Sequence, residues 1–128
     1  MEKRGGVHTL CLKTFYDNIG QDYQTVMKRM MGKEAFLLML LRRFATEAPM
    51  DNLEKAMEEN AASEIFDQAY TLKGVAENLG LKPLYDKISV LVEITRHGGL
   101  DGAEEAFAEV KQVYGEVMKL LEPVLTEQ

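Results

Sequence analysis

Apolar residues recur every three or four positions along almost the whole chain, a spacing typical of amphipathic helices. The clearest run has a 4-3-4-3 repeat and comprises Ile65, Ala69, Leu72, Ala76 and Leu79. The longest run has a strict 4-3 repeat and comprises Ala103, Phe107, Val110, Tyr114, Val117, Leu121 and Val124. No stretch alternates apolar and polar residues beside turn signals, so the sequence predicts helices and no β-strands.

Glycine and proline separate the apolar runs from one another, as expected for residues that end or begin helices. These residues are Gly32, Pro49, Gly80, Pro83 and the pair Gly98-Gly99. Pro49 follows an apolar run and is expected to kink or break its helix, since proline lacks a backbone N–H.

Helices joined by short connections pack as antiparallel neighbours. The sequence therefore predicts an all-α fold, an antiparallel up-down four-helix bundle with an additional N-terminal helix over residues 16–31 that caps one end. Residues 1–14 are predicted to form a flexible N-terminal arm, and residues 15–128 a single helical bundle domain.

Composition restricts the possible functions. The net charge of −6 argues against a nucleic-acid surface, which needs clustered Lys and Arg. The longest apolar run covers only residues 35–41, whereas a membrane-spanning helix needs about 20 residues. The N-terminal residues do not resemble a signal peptide. With the single Cys11 no internal disulfide can form, so a reducing cytoplasm is the expected location.

Few residues could hold a metal or perform acid–base chemistry. The two histidines, His8 and His97, are far apart in sequence and do not form a ligand pattern with Cys11. The carboxylates Glu58, Glu59 and Glu64 are best interpreted as a solvated helix face. We therefore expect no metal and no cofactor.

One helix carries a second, more exposed face beside its apolar stripe. At 100° per residue, five residues share this face, here named the Tyr70 face: Phe66, Tyr70, Lys73, Gly74 and Glu77. A mid-helix glycine costs about 1 kcal/mol relative to alanine. Gly74 therefore suggests that another molecule approaches closely at this point.

The segment over residues 69–80 reads AYTLKGVAENLG. It resembles the signature of the histidine-containing phosphotransfer (HPt) family, roughly A-H-x-L-K-G-x-x-x-x-L-G. Weaker similarity extends over residues 15–125 and includes Asp22-Tyr23, Arg29, Gly32, the run over residues 41–44 and the turn over residues 96–101.

The resemblance implies a helical bundle that exchanges phosphoryl groups with receiver domains or histidine kinases. It implies that Lys73 steadies phosphoryl charge and that Gly74 leaves room for the partner. Tyr70 stands where the family has its phosphoaccepting histidine. A phenol has a pKa near 10 and is a poor nucleophile at neutral pH, and a tyrosyl phosphate would trap the phosphoryl group. Glu77 also departs from the family, which commonly has a small residue there.

We therefore predict a pseudo-HPt protein, not an enzyme, that binds a receiver domain or histidine kinase without carrying phosphate. Two alternatives remain. The chain could be a helical scaffold that no longer binds relay partners, or an active carrier that uses an unconventional residue such as His97. We expect a monomer that binds neither nucleic acid nor membrane.

Overall fold

The computed structural model describes residues 3–47 and 50–126, with side chains from residue 11 onward. Within these ranges the secondary structure is helical, with no β-strand, which confirms the all-α prediction. The helices are α1 (Lys3–Asn18), α2 (Tyr23–Arg29), α3 (Glu34–Glu47), α4 (Met50–Glu58), α5 (Ala62–Asn78), α6 (Lys82–Thr95) and α7 (Ala103–Thr126). The predicted kink at Pro49 lies outside the described residues.

The core forms around α5, α6 and α7. Helix α5 packs against α4 and α6, α6 packs against α7, and α1 and α3 also contact α7. The apolar stripe of α5 is buried along its whole length, from Ile65 to Leu79. Burial of this stripe fixes the rotation of α5, and so determines which of its residues face outward.

The predicted helix over residues 16–31 is wrong in detail, because the structure divides this segment between α1 and α2. The chain turns at Gly20, whose φ of 73° lies in the left-handed region that glycine adopts readily. Asp22 then takes an extended conformation as the N-cap of α2 and accepts a hydrogen bond from Thr25 Oγ1 at 2.9 Å.

Residues 3–14 belong to α1, whereas the sequence predicted a flexible arm over residues 1–14. Leu12 is fully buried, because α1 packs against α7. A helical conformation does not test flexibility, so the flexible arm over residues 1–14 stays a prediction. The division of the chain at residue 14 stays a prediction.

The C-terminal end of α5 is held by both N-terminal helices. The Tyr16 hydroxyl donates a hydrogen bond to the Leu79 carbonyl at 2.7 Å, and the Arg29 guanidinium donates to the carbonyls of Glu77 and Asn78. A Cβ on Gly80 would lie 2.5 Å from Val26 Cγ2, so glycine is required where α2 passes. These contacts satisfy carbonyl groups that a helix end leaves without intrahelical partners.

Replacing Tyr16 by Phe should lower the free energy of unfolding by about 1 kcal/mol, because it removes one buried hydrogen bond. Burial raises the pKa of the Tyr16 hydroxyl, so this group stays protonated and remains a donor at neutral pH. Urea denaturation monitored by circular dichroism measures the change. A Tyr16→Phe variant with unchanged stability would show that the bond to Leu79 contributes nothing net.

Candidate functional site

An exposed aromatic pair lies at the centre of the Tyr70 face. Tyr70 is 55% exposed, and its ring stacks on that of Phe66 with the centroids 5.6 Å apart and the planes at 19°. Phe66 is partly buried and packs against the core. The stacked geometry is a favourable one for aromatic rings, so Phe66 supports the phenol from one side.

Arg96, which follows the last turn of α6, packs against Phe66 of this pair. Its guanidinium carbon lies 5.5 Å from the Phe66 ring centroid, within the range of a cation–π contact. Glu93 holds the same guanidinium through Nη2 at 2.8 Å and through Nε at 3.2 Å. The hydrogen bond to Glu93 raises the pKa of Arg96, and the nearby Tyr70 contributes to that increase.

Lys73 lies about one helical turn beyond Tyr70. Its Nζ is 5.7 Å from the centroid of the Tyr85 ring on α6, and it forms no ion pair with any described residue. The hydrogen bond from Arg96 lowers the pKa of Glu93, and the charges of Lys73 and His97 add to this effect. Arg96 and Glu93 therefore form an ion pair beside this face.

Gly74 is exposed, and a Cβ built on it would have nothing within 4 Å. Its backbone is ordinary α-helix, so neither conformation nor internal packing requires a glycine here. Gly80 differs, since both its positive φ and the contact with Val26 exclude larger residues. The absence of Cβ at position 74 therefore has no cause within the described part of the fold.

Glu77 is exposed near the end of the face, in a shallow depression lined by Arg29, Gly74, Glu77 and Asn78. Arg29 enters this depression from α2 and bonds to the Glu77 carbonyl. The depression is therefore lined by one basic and one acidic residue, Arg29 and Glu77.

The five residues predicted for the Tyr70 face lie on one helix, and Tyr70, Gly74 and Glu77 are exposed there. Their role as a partner-docking face stays a prediction. The sequence-based reasoning missed Arg96, Glu93 and Tyr85 as neighbours of this face. The short connection at Gly80 could have indicated these neighbours, because it reverses the chain direction and lets α6 pack along α5.

The other candidates from the sequence do not assemble into a site. His97 is exposed beside Arg96, and the side chain of His8 lies outside the described residues. Among the side chains that the structure describes, no group of three or more His, Cys, Asp or Glu could hold a metal ion. No helix in the described ranges is long and apolar enough to cross a membrane.

The chain matches the family model described as Hpt domain over residues 39–119, which is more than half of its length. The match includes the whole of α5 and α6, and therefore the Tyr70 face. No curated protein and no solved structure gives a significant match. Hpt domains interact with receiver domains and histidine kinases. The chain therefore belongs to the Hpt domain family and has a role in two-component phosphorelay signalling.

Proposed function

We propose that this protein is a pseudo-HPt module, which binds a receiver domain or a histidine kinase without itself carrying phosphate. In this proposal Tyr70 takes the place of the phosphoaccepting histidine. The observation that carries it is an exposed phenol beside Lys73 and Gly74, where the family signature has an imidazole.

The proposed architecture is an antiparallel up-down bundle of four helical segments, with α3 and α4 together forming the first. Helices α5, α6 and α7 form the other three, and the short connections between them support this order. Helices α1 and α2 cap the end of the bundle where they bind the C-terminus of α5. A capped end would hold the Tyr70 face rigid, which lowers the entropic cost of binding a partner.

Gly74 supports the proposal that the face still binds a partner. An exposed helix glycine lowers the stability of the free protein, and the fold itself does not require this one. Close approach of another backbone or side chain would explain it. Glu77 is the residue that favours the scaffold alternative, because its carboxylate would face the acidic phosphorylation site of a receiver.

We also propose a monomer located in the cytoplasm that acts without a cofactor and without nucleic acid or membrane.

The test measures both partner binding and phosphoryl transfer. The protein should capture receiver domains or a histidine kinase in a pull-down, and Gly74→Arg should weaken this capture. It should acquire no acid-labile label from a radiolabelled phosphorylated receiver or kinase, because tyrosine offers no imidazole nitrogen.

Acid-labile label that survives replacement of both His8 and His97 would contradict the proposal. Label that disappears in a His97→Gln variant would instead support the alternative of an active carrier. Capture of neither partner class by a folded protein would favour the scaffold alternative.

A further inference from the structure

Arg96 lies outside the signature, yet the structure places its guanidinium beside the Tyr70 face. Glu93 occupies its Nε and one of its terminal nitrogens, Nη2. The other terminal nitrogen, Nη1, makes no hydrogen bond to any residue that the structure describes. Arg96 is therefore oriented by Glu93 and Phe66 and still has N–H groups to donate.

The groups around Tyr70 suit a phosphoryl anion. A phenol hydroxyl can donate a hydrogen bond, and Lys73 lies three residues along the same helix face. Arg96 presents a planar, permanently charged group that pairs well with phosphate oxygens. With Lys73 and Arg96 against Glu93, the formal charge of this group is positive, whereas the whole chain carries −6.

We infer that Arg96, Tyr70 and Lys73 form a phosphoryl-binding site that makes the Tyr70 face selective for the phosphorylated form of its partner receiver. This inference rests on the proposed function, since it specifies which state of the receiver binds. No bond to phosphorus forms or breaks. The aspartyl phosphate stays on the receiver and is held by hydrogen bonds and charge.

The phosphorylated receiver should bind more tightly because its phosphoryl group adds negative charge and acceptor oxygens opposite these donors. We expect an affinity about tenfold higher than for the unphosphorylated receiver, which corresponds to about 1.4 kcal/mol. A gain of this size is expected when charge-assisted hydrogen bonds replace neutral ones. The ratio of the two affinities is the quantity to measure, since a variant that only perturbs folding would change both affinities together.

The experiment uses the full chain and a panel of receiver domains, each with and without beryllofluoride as a mimic of the aspartyl phosphate. Calorimetry gives both dissociation constants. The ratio should fall towards one in Arg96→Gln and should fall in Tyr70→Phe, which retains the ring but removes the hydroxyl. Arg96→Lys should retain part of the ratio, because the charge remains while the planar group is lost.

Lys87→Gln is the matched control. Like Arg96, Lys87 is a basic residue in an ion pair, but it lies within α6 and its partner is Glu109 of α7, at 2.9 Å. Its removal changes the net charge as much as Arg96→Gln does, and the ratio should stay at its original value. A reduced ratio in this control would attribute the selectivity to overall charge and would overturn the inference.

A second experiment tests the phosphoryl-binding site in the absence of a receiver domain. Inorganic phosphate is titrated into the protein at constant ionic strength, with the Tyr70 ring and Arg96 side-chain signals followed by NMR. Millimolar phosphate should shift both signals, and Arg96→Gln should abolish the shift at Tyr70. Circular dichroism checks that each variant is folded.

The outcomes are distinguishable. Equal receiver affinities in both states would overturn the inference and leave the proposed docking function intact. If no receiver binds in either state, the receiver is excluded as the partner in the proposed function, and the phosphate titration tests the site by itself. Phosphate-induced shifts would then support a site for free phosphate, whereas unchanged signals would overturn it.

Discussion

Replacing Tyr70 by His should give a protein that accepts a phosphoryl group from a phosphorylated receiver. An imidazole nitrogen attacks the phosphorus of the aspartyl phosphate, so that a P–N bond forms as the P–O bond to the aspartate breaks. Both species are high-energy phosphates, and the transfer can run in either direction. The expected change is from no detectable acid-labile label to clear labelling.

The surroundings of position 70 favour a reactive imidazole. Arg96 lies against the Phe66 ring on which Tyr70 stacks, and Lys73 lies three residues along the same helix. Nearby cations disfavour the imidazolium form. The neutral imidazole is the nucleophile. Because Tyr70 is exposed, the substitution leaves no large cavity and should cost no more than about 1 kcal/mol of stability.

Radiolabel transfer from a panel of phosphorylated receivers measures the gain. Asp67→His is the matched control, since it places a histidine on the exposed surface of α5 one turn before Tyr70. It should remain unlabelled, because position 67 is displaced from Lys73 and Gly74 along the helix.

A second variant combines Tyr70→His with Glu77→Gly, which removes the carboxylate that departs from the family pattern. The glycine should lower stability by about 1 kcal/mol through its poor helix propensity. If this folded double variant neither binds nor accepts phosphate from any receiver, the docking surface has been lost and the scaffold alternative is correct.

The helices from α5 onward could be predicted from apolar spacing because their buried stripes are regular and their ends carry Gly or Pro. The predicted apolar run from Ile65 to Leu79 lies on the observed α5 and its C-cap residue Leu79. Prediction failed between Tyr16 and Met30, where apolar spacing continues although the chain turns at Gly20. Apolar residues on both sides of the turn are buried, so the apolar spacing continues across it. The spacing alone therefore does not reveal that the helix ends there.

The Tyr70 face could be predicted because its five residues lie on one helix, where spacing alone determines which side chains are neighbours. Arg96 could not be placed there in the same way. Its position depends on how α6 packs along α5, and apolar spacing gives the buried side of each helix without giving pairs of residues across the interface.

The second large effect concerns Gly74, where one substitution should raise stability and weaken receiver binding. Glutamine at this position should increase the free energy of unfolding by about 0.5–1 kcal/mol, because it forms helix better than glycine and meets no atom of the fold. The same side chain would project from the centre of the Tyr70 face. Receiver binding should therefore weaken at least about tenfold, since a clash at the contact surface opposes docking.

The chain contains a matched control for this substitution. Gly115 lies within α7, is also exposed, and a Cβ there would likewise have nothing within 4 Å. Gly115→Gln should give a similar gain in stability and leave receiver binding unchanged. Urea denaturation measures the stability of both variants, and calorimetry with a receiver domain measures their binding. If Gly74→Gln and Gly115→Gln bind the receiver equally well, no partner approaches closely at Gly74, and its glycine has no role in docking.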